Sequence, residues 1–100
     1  MLTLPIKKEW LDMILSGEKK EEYRAITRYW TKRFQSIILL DAHGLPVRQS
    51  RVIKLRAGYR KDSPAAKVRV TISKGFGNPA WGAIPGVTYW KLRIEEVIKP

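Results

Sequence analysis

An α+β fold built on a small, partly closed β-barrel is predicted by three features of the sequence. Three segments of the second half alternate apolar and cationic residues with period two, the pattern of a half-buried strand. The first half carries two short stretches with helical spacing. Turn-forming residues separate about six short strands, mainly antiparallel, from two or three short helices. The chain has 100 residues, of which 44% are hydrophobic. That is enough for one modest core, so a single domain over 1–100 is expected.

Leu2 to Ile6 is predicted as the first strand, with Pro5 near its end. Lys7 to Ser16 has helical spacing, because Trp10, Met13 and Ile14 fall at i, i+3 and i+4 beside Leu11 and Leu15. Gly17 stands where a terminating glycine belongs. Glu21 to Ile26 follows as a second strand. Thr27 is placed to cap a helix over Arg28 to Gln35, with Trp30 and Phe34 on one face. The apolar run Ile37–Leu40 is predicted as a short buried strand, and residues 41–46 as a turn. Strands are then expected over Arg51–Gly58, Ala66–Lys74 and Thr88–Glu95. Their apolar sets should face the core and their cations the outside. A long loop over residues 75–86 carries four glycines, two prolines, Phe76 and Trp81. Loops of that length tend to be functional. There Phe76 or Trp81 offers a stacking surface to a base. Alternatively, Trp81 folds back to plug an open barrel end.

Charge narrows the function classes. Twenty Lys and Arg face nine Asp and Glu, a net charge of +11. Residues 42–94 hold eleven basic residues and the single acid Asp62. Such a lopsided field attracts polyanions. Nucleic acid is the first partner class it implies, and an anionic membrane surface the second. The alternative is a basic surface kept for solubility. Lys54, Arg56, Lys67, Arg69, Lys91 and Arg93, on the three alternating strands, are the expected contacts to a nucleic-acid backbone. The chain has no cysteine, which excludes disulfides and thiolate metal sites. Met1 to Ile6 does not read as a signal peptide, and no apolar run in the sequence nears the ~18 residues of a membrane span. A cytoplasmic protein with no membrane association is expected.

The most informative stretch is Gly17-Glu18-Lys19-Lys20-Glu21-Glu22-Tyr23-Arg24, where three basic and three acidic side chains follow a helix stop. Gly17, Lys19, Glu22 and Arg24 match the pattern Gly-x-Lys-x-x-Glu-x-Arg. Together with the preceding helix, the later Gly77–Gly86 segment and the total length, the chain resembles the ASCH family, in its short single-domain bacterial and phage members. The resemblance implies a β-barrel similar to the PUA domain, an RNA-binding module. It also implies that RNA or a modified nucleobase binds in a cleft beside the motif. Some small members resemble amidohydrolases acting on acetylated cytidine, and nuclease activity has been proposed for others. The amidohydrolase branch carries a nucleophilic Thr three residues after the motif Lys. This chain has Glu22 there, and a carboxylate attacking an amide would have to form a mixed anhydride.

The residues themselves allow several roles. On an extended segment Glu22 and Arg24 share a side, and Lys19 joins them if it lies in the turn after Gly17. Arg24 then offers a planar fork to a phosphate or carbonyl. A desolvated Lys19 would serve as a base, and Glu22 would accept from a base amine or position a water. The plainer alternative is an ion-pair network that ties the strand to the barrel. Tyr23, pointing the other way, is expected in the core, as are Trp10, Trp30 and Trp90. His43 is the only histidine and reads as a solvated turn residue, while Glu95 and Glu96 read as solvated strand-end charges. No metal and no cofactor are expected. The ligand-site candidates are Gly17, Lys19, Glu22, Arg24, Phe76 and Trp81. Three functions remain open: a binder of single-stranded RNA or a modified nucleobase, an enzyme on RNA or a modified nucleoside using Lys19 and Glu22, and a protein–protein adaptor. No obligate protein partner is expected.

Overall fold

A computed structural model describes residues 1–98. Its centre is one five-stranded sheet in the order β1-β3-β4-β5-β2. The strands are β1 (Thr3–Pro5), β2 (Glu21–Ala25), β3 (Arg51–Arg56), β4 (Ala65–Phe76) and β5 (Thr88–Ile98). Helix α1 (Lys8–Ser16) joins β1 to β2, and α2 (Arg28–Ser36) follows β2. A single 3-10 turn, Pro79–Trp81, lies between β4 and β5. The β1–β3 pair is parallel, while β3–β4, β4–β5 and β5–β2 are antiparallel. The sheet is therefore mixed and mainly antiparallel, in an α+β molecule. It curls into a half-barrel and does not close, because β1 and β2 are edges that do not pair with each other.

Facing residues across the ladders share a sheet face. Leu4, Leu55 and Ala66 form one such row, Ile53 and Val68 another, and Ile72 and Leu92 a third. All seven are buried, and they join Leu11, Ile14, Phe34 and Trp90 in one core. The bulge opposite Arg69 and Val70 tightens the curl. Arg69 faces Glu96 and Val70 faces Ile94, so Glu95 is the extra residue. Thus Glu95 and Glu96 sit within β5 rather than at its end. Glu95 accepts from Thr71 Oγ1 at 2.8 Å, and Glu96 pairs with Arg69 at 3.4 Å.

The expectation of about six strands is corrected to five. Ile37–Leu40 is buried in part, with Leu39 and Leu40 in the core, but it is no strand. Its amides close the end of α2 instead. Ile38 N bonds Gln35 O, and the amides of Leu39 and Leu40 both bond Phe34 O. Those donors satisfy orphan helix carbonyls and cannot also feed a ladder. Ile38 takes a positive φ of 58°, a conformation β-branched residues rarely adopt. Only Leu40 makes an isolated bridge, to Pro46. The helix caps are as expected: Gly17 is left-handed at φ 85°, and Thr27 Oγ1 accepts from Trp30 N at 3.2 Å. Among the described residues no helix is long and apolar enough to cross a membrane.

Candidate functional site

The site lies at the open seam of the half-barrel, where edge β1 approaches edge β2. It is built by a turn. Left-handed Gly17 bends the chain so that Lys19 N reaches back to Met13 O at 3.0 Å. Lys19 is thereby aimed inward before β2 begins. On β2, Glu22 faces Leu92 and Arg24 faces Trp90 across the ladder. Both therefore stand on the core face of the sheet. Their charges are met there by each other and by Lys19.

There the three charged groups converge. Lys19 Nζ is 3.0 Å from Glu22 Oε1, and Arg24 Nη1 is 2.9 Å from Glu22 Oε2. The Lys19 side chain is fully buried and that of Glu22 is 7% exposed. Lys19 Nζ also donates to the carbonyls of Glu21 and Trp81, the latter at 2.9 Å. Its three N–H groups thus meet three acceptors, an arrangement that only the ammonium form satisfies. Burial pulls the Lys19 pKa below the ordinary lysine value, while Glu22 opposes that shift. The rings of Trp10 and Tyr23 lie 5.3 and 5.0 Å from Nζ and add cation–π contact. Arg24 donates from Nη1 to Tyr23 O at 2.7 Å and from Nη2 to Pro5 O at 2.6 Å, and sits 5.3 Å over the Trp30 ring. Three guanidinium hydrogens are committed in this way, which leaves part of the fork for another group.

A cleft of about 250 Å³ opens beside this network. One wall is Pro5, Ile6, Lys7 and Trp10; the other is Glu22, Tyr23, Arg24, Trp81, Gly82 and Tyr89. Lys19 does not line it; it stands behind Glu22 as a buried counter-charge. The segment 77–86 covers the cleft from the side of β2 and is held at several points. Tyr23 Oη accepts from Asn78 N at 2.8 Å and donates to Glu21 Oε1 at 2.9 Å. Tyr89 Oη accepts from Ile84 N at 3.1 Å. Gly82 rests against the Trp10 indole, with 3.3 Å between an added Cβ and Trp10 Cζ2. Burial pushes the Tyr23 phenol up to about 12.

The structure thus brings together Lys19, Glu22, Arg24 and Trp81. It does not bring Phe76 to them. Phe76 ends β4, faces Thr88 across the ladder and is 65% exposed, away from the cleft. Gly17 contributes the turn and not a wall. Trp10, Tyr23 and Tyr89 were missed as cleft residues. Trp10 had a signal: it precedes Gly17 by seven residues, two helical turns, and so shares the helix face on which the motif begins. Tyr89 had none, because its place depends on pairing with Ala25 at the seam.

The six outer-face cations divide into two groups. Lys91 is 3.5 Å from Glu21, Arg93 3.5 Å from Glu95, and Arg69 3.4 Å from Glu96. Among the described residues Lys54, Arg56 and Lys67 have no ion-pair partner. His43 is exposed in its turn, where its amide donates to Asp41 Oδ1 at 2.8 Å. Among the described residues no cluster of His, Asp or Glu is placed to hold a metal ion. No protein-family model, curated protein or solved structure matches this chain.

Proposed function

We propose that the protein binds single-stranded RNA and takes one base into the seam cleft, as a small ASCH-type, PUA-like module would. The observation that carries this reading is Glu22, a buried carboxylate bridging two cations with one side on an aromatic-lined cleft. Such a group accepts from the exocyclic amine of a base, and Trp10, Trp81 and Tyr89 offer apolar ring surface to the base itself. The volume suits one flat ring, lying below the ~300–1,000 Å³ of clefts that hold larger ligands. One carboxylate between Lys19 and Arg24 leaves a positive excess, which Lys7 at the rim increases. A phosphate attached to the base answers that excess.

Binding is favoured over turnover because Lys19 has no free face toward the cleft, and Glu22 alone is poorly suited to an acid–base pair. Titrating the protein with cytidine 5′-monophosphate and with decacytidylate, followed by tryptophan fluorescence, tests the reading. Binding of both is expected, with bases carrying an exocyclic amine ahead of uracil. For about five phosphate contacts the log–log salt slope of the oligomer should be near −3.5. Absence of binding by either ligand at low salt would reject the reading. Product release from labelled RNA or acetylated cytidine, lost on Glu22→Gln, would replace it with the enzyme reading.

A further inference from the structure

The seam cleft continues into a surface path. It shares Pro5, Ile6 and Lys7 with a neighbouring hollow of about 280 Å³ that is closed by Gly58 and Tyr59. Pro5, Gly58 and Tyr59 in turn border a further hollow that reaches Thr3 and Arg56. Beyond it, on the same outer face, Arg56 faces Ala65 and Lys54 faces Lys67 across the β3–β4 ladder. Lys54, Ala65 and Lys67 line the next concavity. Three of the hollows thus adjoin one another from the cleft over the β1 edge, and the fourth lies beside them across the β3–β4 ladder.

Two properties set this track apart from the Arg69, Lys91 and Arg93 side of the sheet. First, its cations have no carboxylate partner among the described residues. The β5 side of the sheet carries Lys91, Arg93 and Arg69, each beside a carboxylate. Lys54, Arg56 and Lys67 have no carboxylate at pairing distance among the described residues. An unpaired cation can exchange its counterions for phosphates at no cost in broken ion pairs. Second, Tyr59 is 94% exposed at the tip of the β3–β4 hairpin, next to Arg60 and Lys61. Asp62 is the only acid in that hairpin. The tip is ordered by its backbone: Ala57 N bonds Pro64 O at 2.8 Å, and Arg60 N bonds Ser63 Oγ at 2.9 Å. A tyrosine ring held out into water beside cations buries almost none of its surface in its own chain, and base stacking is a use for it.

We infer that RNA leaving the cleft runs over Pro5, stacks a base on Tyr59, and lays its phosphates along Arg56, Lys54 and Lys67 rather than along Arg69, Lys91 and Arg93. This route rests on the proposed binding of single-stranded RNA. It names the half of the basic face that engages.

Two triple variants of equal charge change test the route with the full chain and decacytidylate. Lys54→Gln/Arg56→Gln/Lys67→Gln should weaken binding about 100-fold near 0.1 M salt and lower the salt slope by about 2. Arg69→Gln/Lys91→Gln/Arg93→Gln should weaken it by less than about 5-fold and leave the slope in place. Tyr59→Ala, at an exposed tip where folding is not at stake, should cost about ten-fold for the oligomer and leave cytidine 5′-monophosphate binding unchanged. Equal losses from the two triples, or an unaltered Tyr59→Ala, would overturn the route while leaving the cleft reading intact. A wild-type protein that binds neither ligand would remove both.

Discussion

Arg24 Nη2 stands 2.6 Å from the carbonyl oxygen of Pro5, so a side chain on β2 closes a barrel that the backbone leaves open. The two strands are the unpaired edges of the sheet. The same guanidinium holds Glu22 at 2.9 Å. It therefore ties the seam together and fixes the position of its carboxylate. Replacing Arg24 by Met should cost about 3 kcal/mol, because a largely buried carboxylate loses a partner and the edges lose their tie. Arg24→Lys should recover less than half, since one ammonium cannot span Glu22 Oε2 and Pro5 O as the fork does. Urea midpoints of the three proteins check this, and full recovery by Lys would mean that charge alone matters.

Lys19 and Glu22 should be strongly coupled. Glu22→Gln leaves an ammonium buried without its counter-charge, at a cost of about 3 kcal/mol. Adding Lys19→Met removes that stranded charge. The double variant should then be less destabilised than the sum of the singles, with a coupling of about 2 kcal/mol. Chemical denaturation of all four proteins measures it. Additive losses would show that the two groups do not share one buried network.

Tyr23 sets a stability limit at high pH. Its folded pKa is raised to about 12 from 10.0, so the native state holds the phenolic proton more tightly than the unfolded chain. The stabilisation is fully present below the unfolded value and is lost as pH rises from about 10 to about 12. Tyr23→Phe has no such proton to lose. The difference in melting temperature between wild type and Tyr23→Phe should shrink across that window, and a constant difference would contradict the assignment.

Gly77 is a contact glycine. A Cβ there would lie 2.7 Å from both Tyr23 Cζ and Ala83 Cβ, well inside van der Waals contact. Gly77→Ala should therefore destabilise by about 1–3 kcal/mol, as overpacked sites do. Gly75→Ala meets only the flexible Lys91 side chain at 3.6 Å and should be close to neutral. Thermal melts of the two variants separate the cases, and a neutral Gly77→Ala would mean that the 77–86 segment can shift off the Tyr23 ring.

Helix α1 was legible because Trp10, Leu11, Met13 and Ile14 repeat with helical spacing before a glycine, a pattern written locally. The alternation in β3, β4 and β5 was legible for the same reason. Ile37–Leu40 was not, because a short apolar run looks alike whether it forms a strand or closes a helix end. The orientation of β2 also misleads when read locally. Hydropathy favours Tyr23 inward, yet Glu22 and Arg24 share the core face with Leu92 and Trp90. Tyr23 is buried as well, at 9% exposure, because the 77–86 segment covers the other side of the strand.

Taken alone, the sequence determined the helices, the alternating strands, the basic character of the second half, and the proximity of Lys19, Glu22 and Arg24 along the chain. Each of these follows from local spacing and composition. Tertiary structure decided that the sheet stays open, that Lys19 lies behind Glu22 and not beside it in the cleft, and which cations already have acidic partners. These depend on strand order, the bulge at Glu95 and the curl that brings Pro5 to Arg24. They are contacts between residues far apart in sequence, set by packing of the whole core rather than by any one segment.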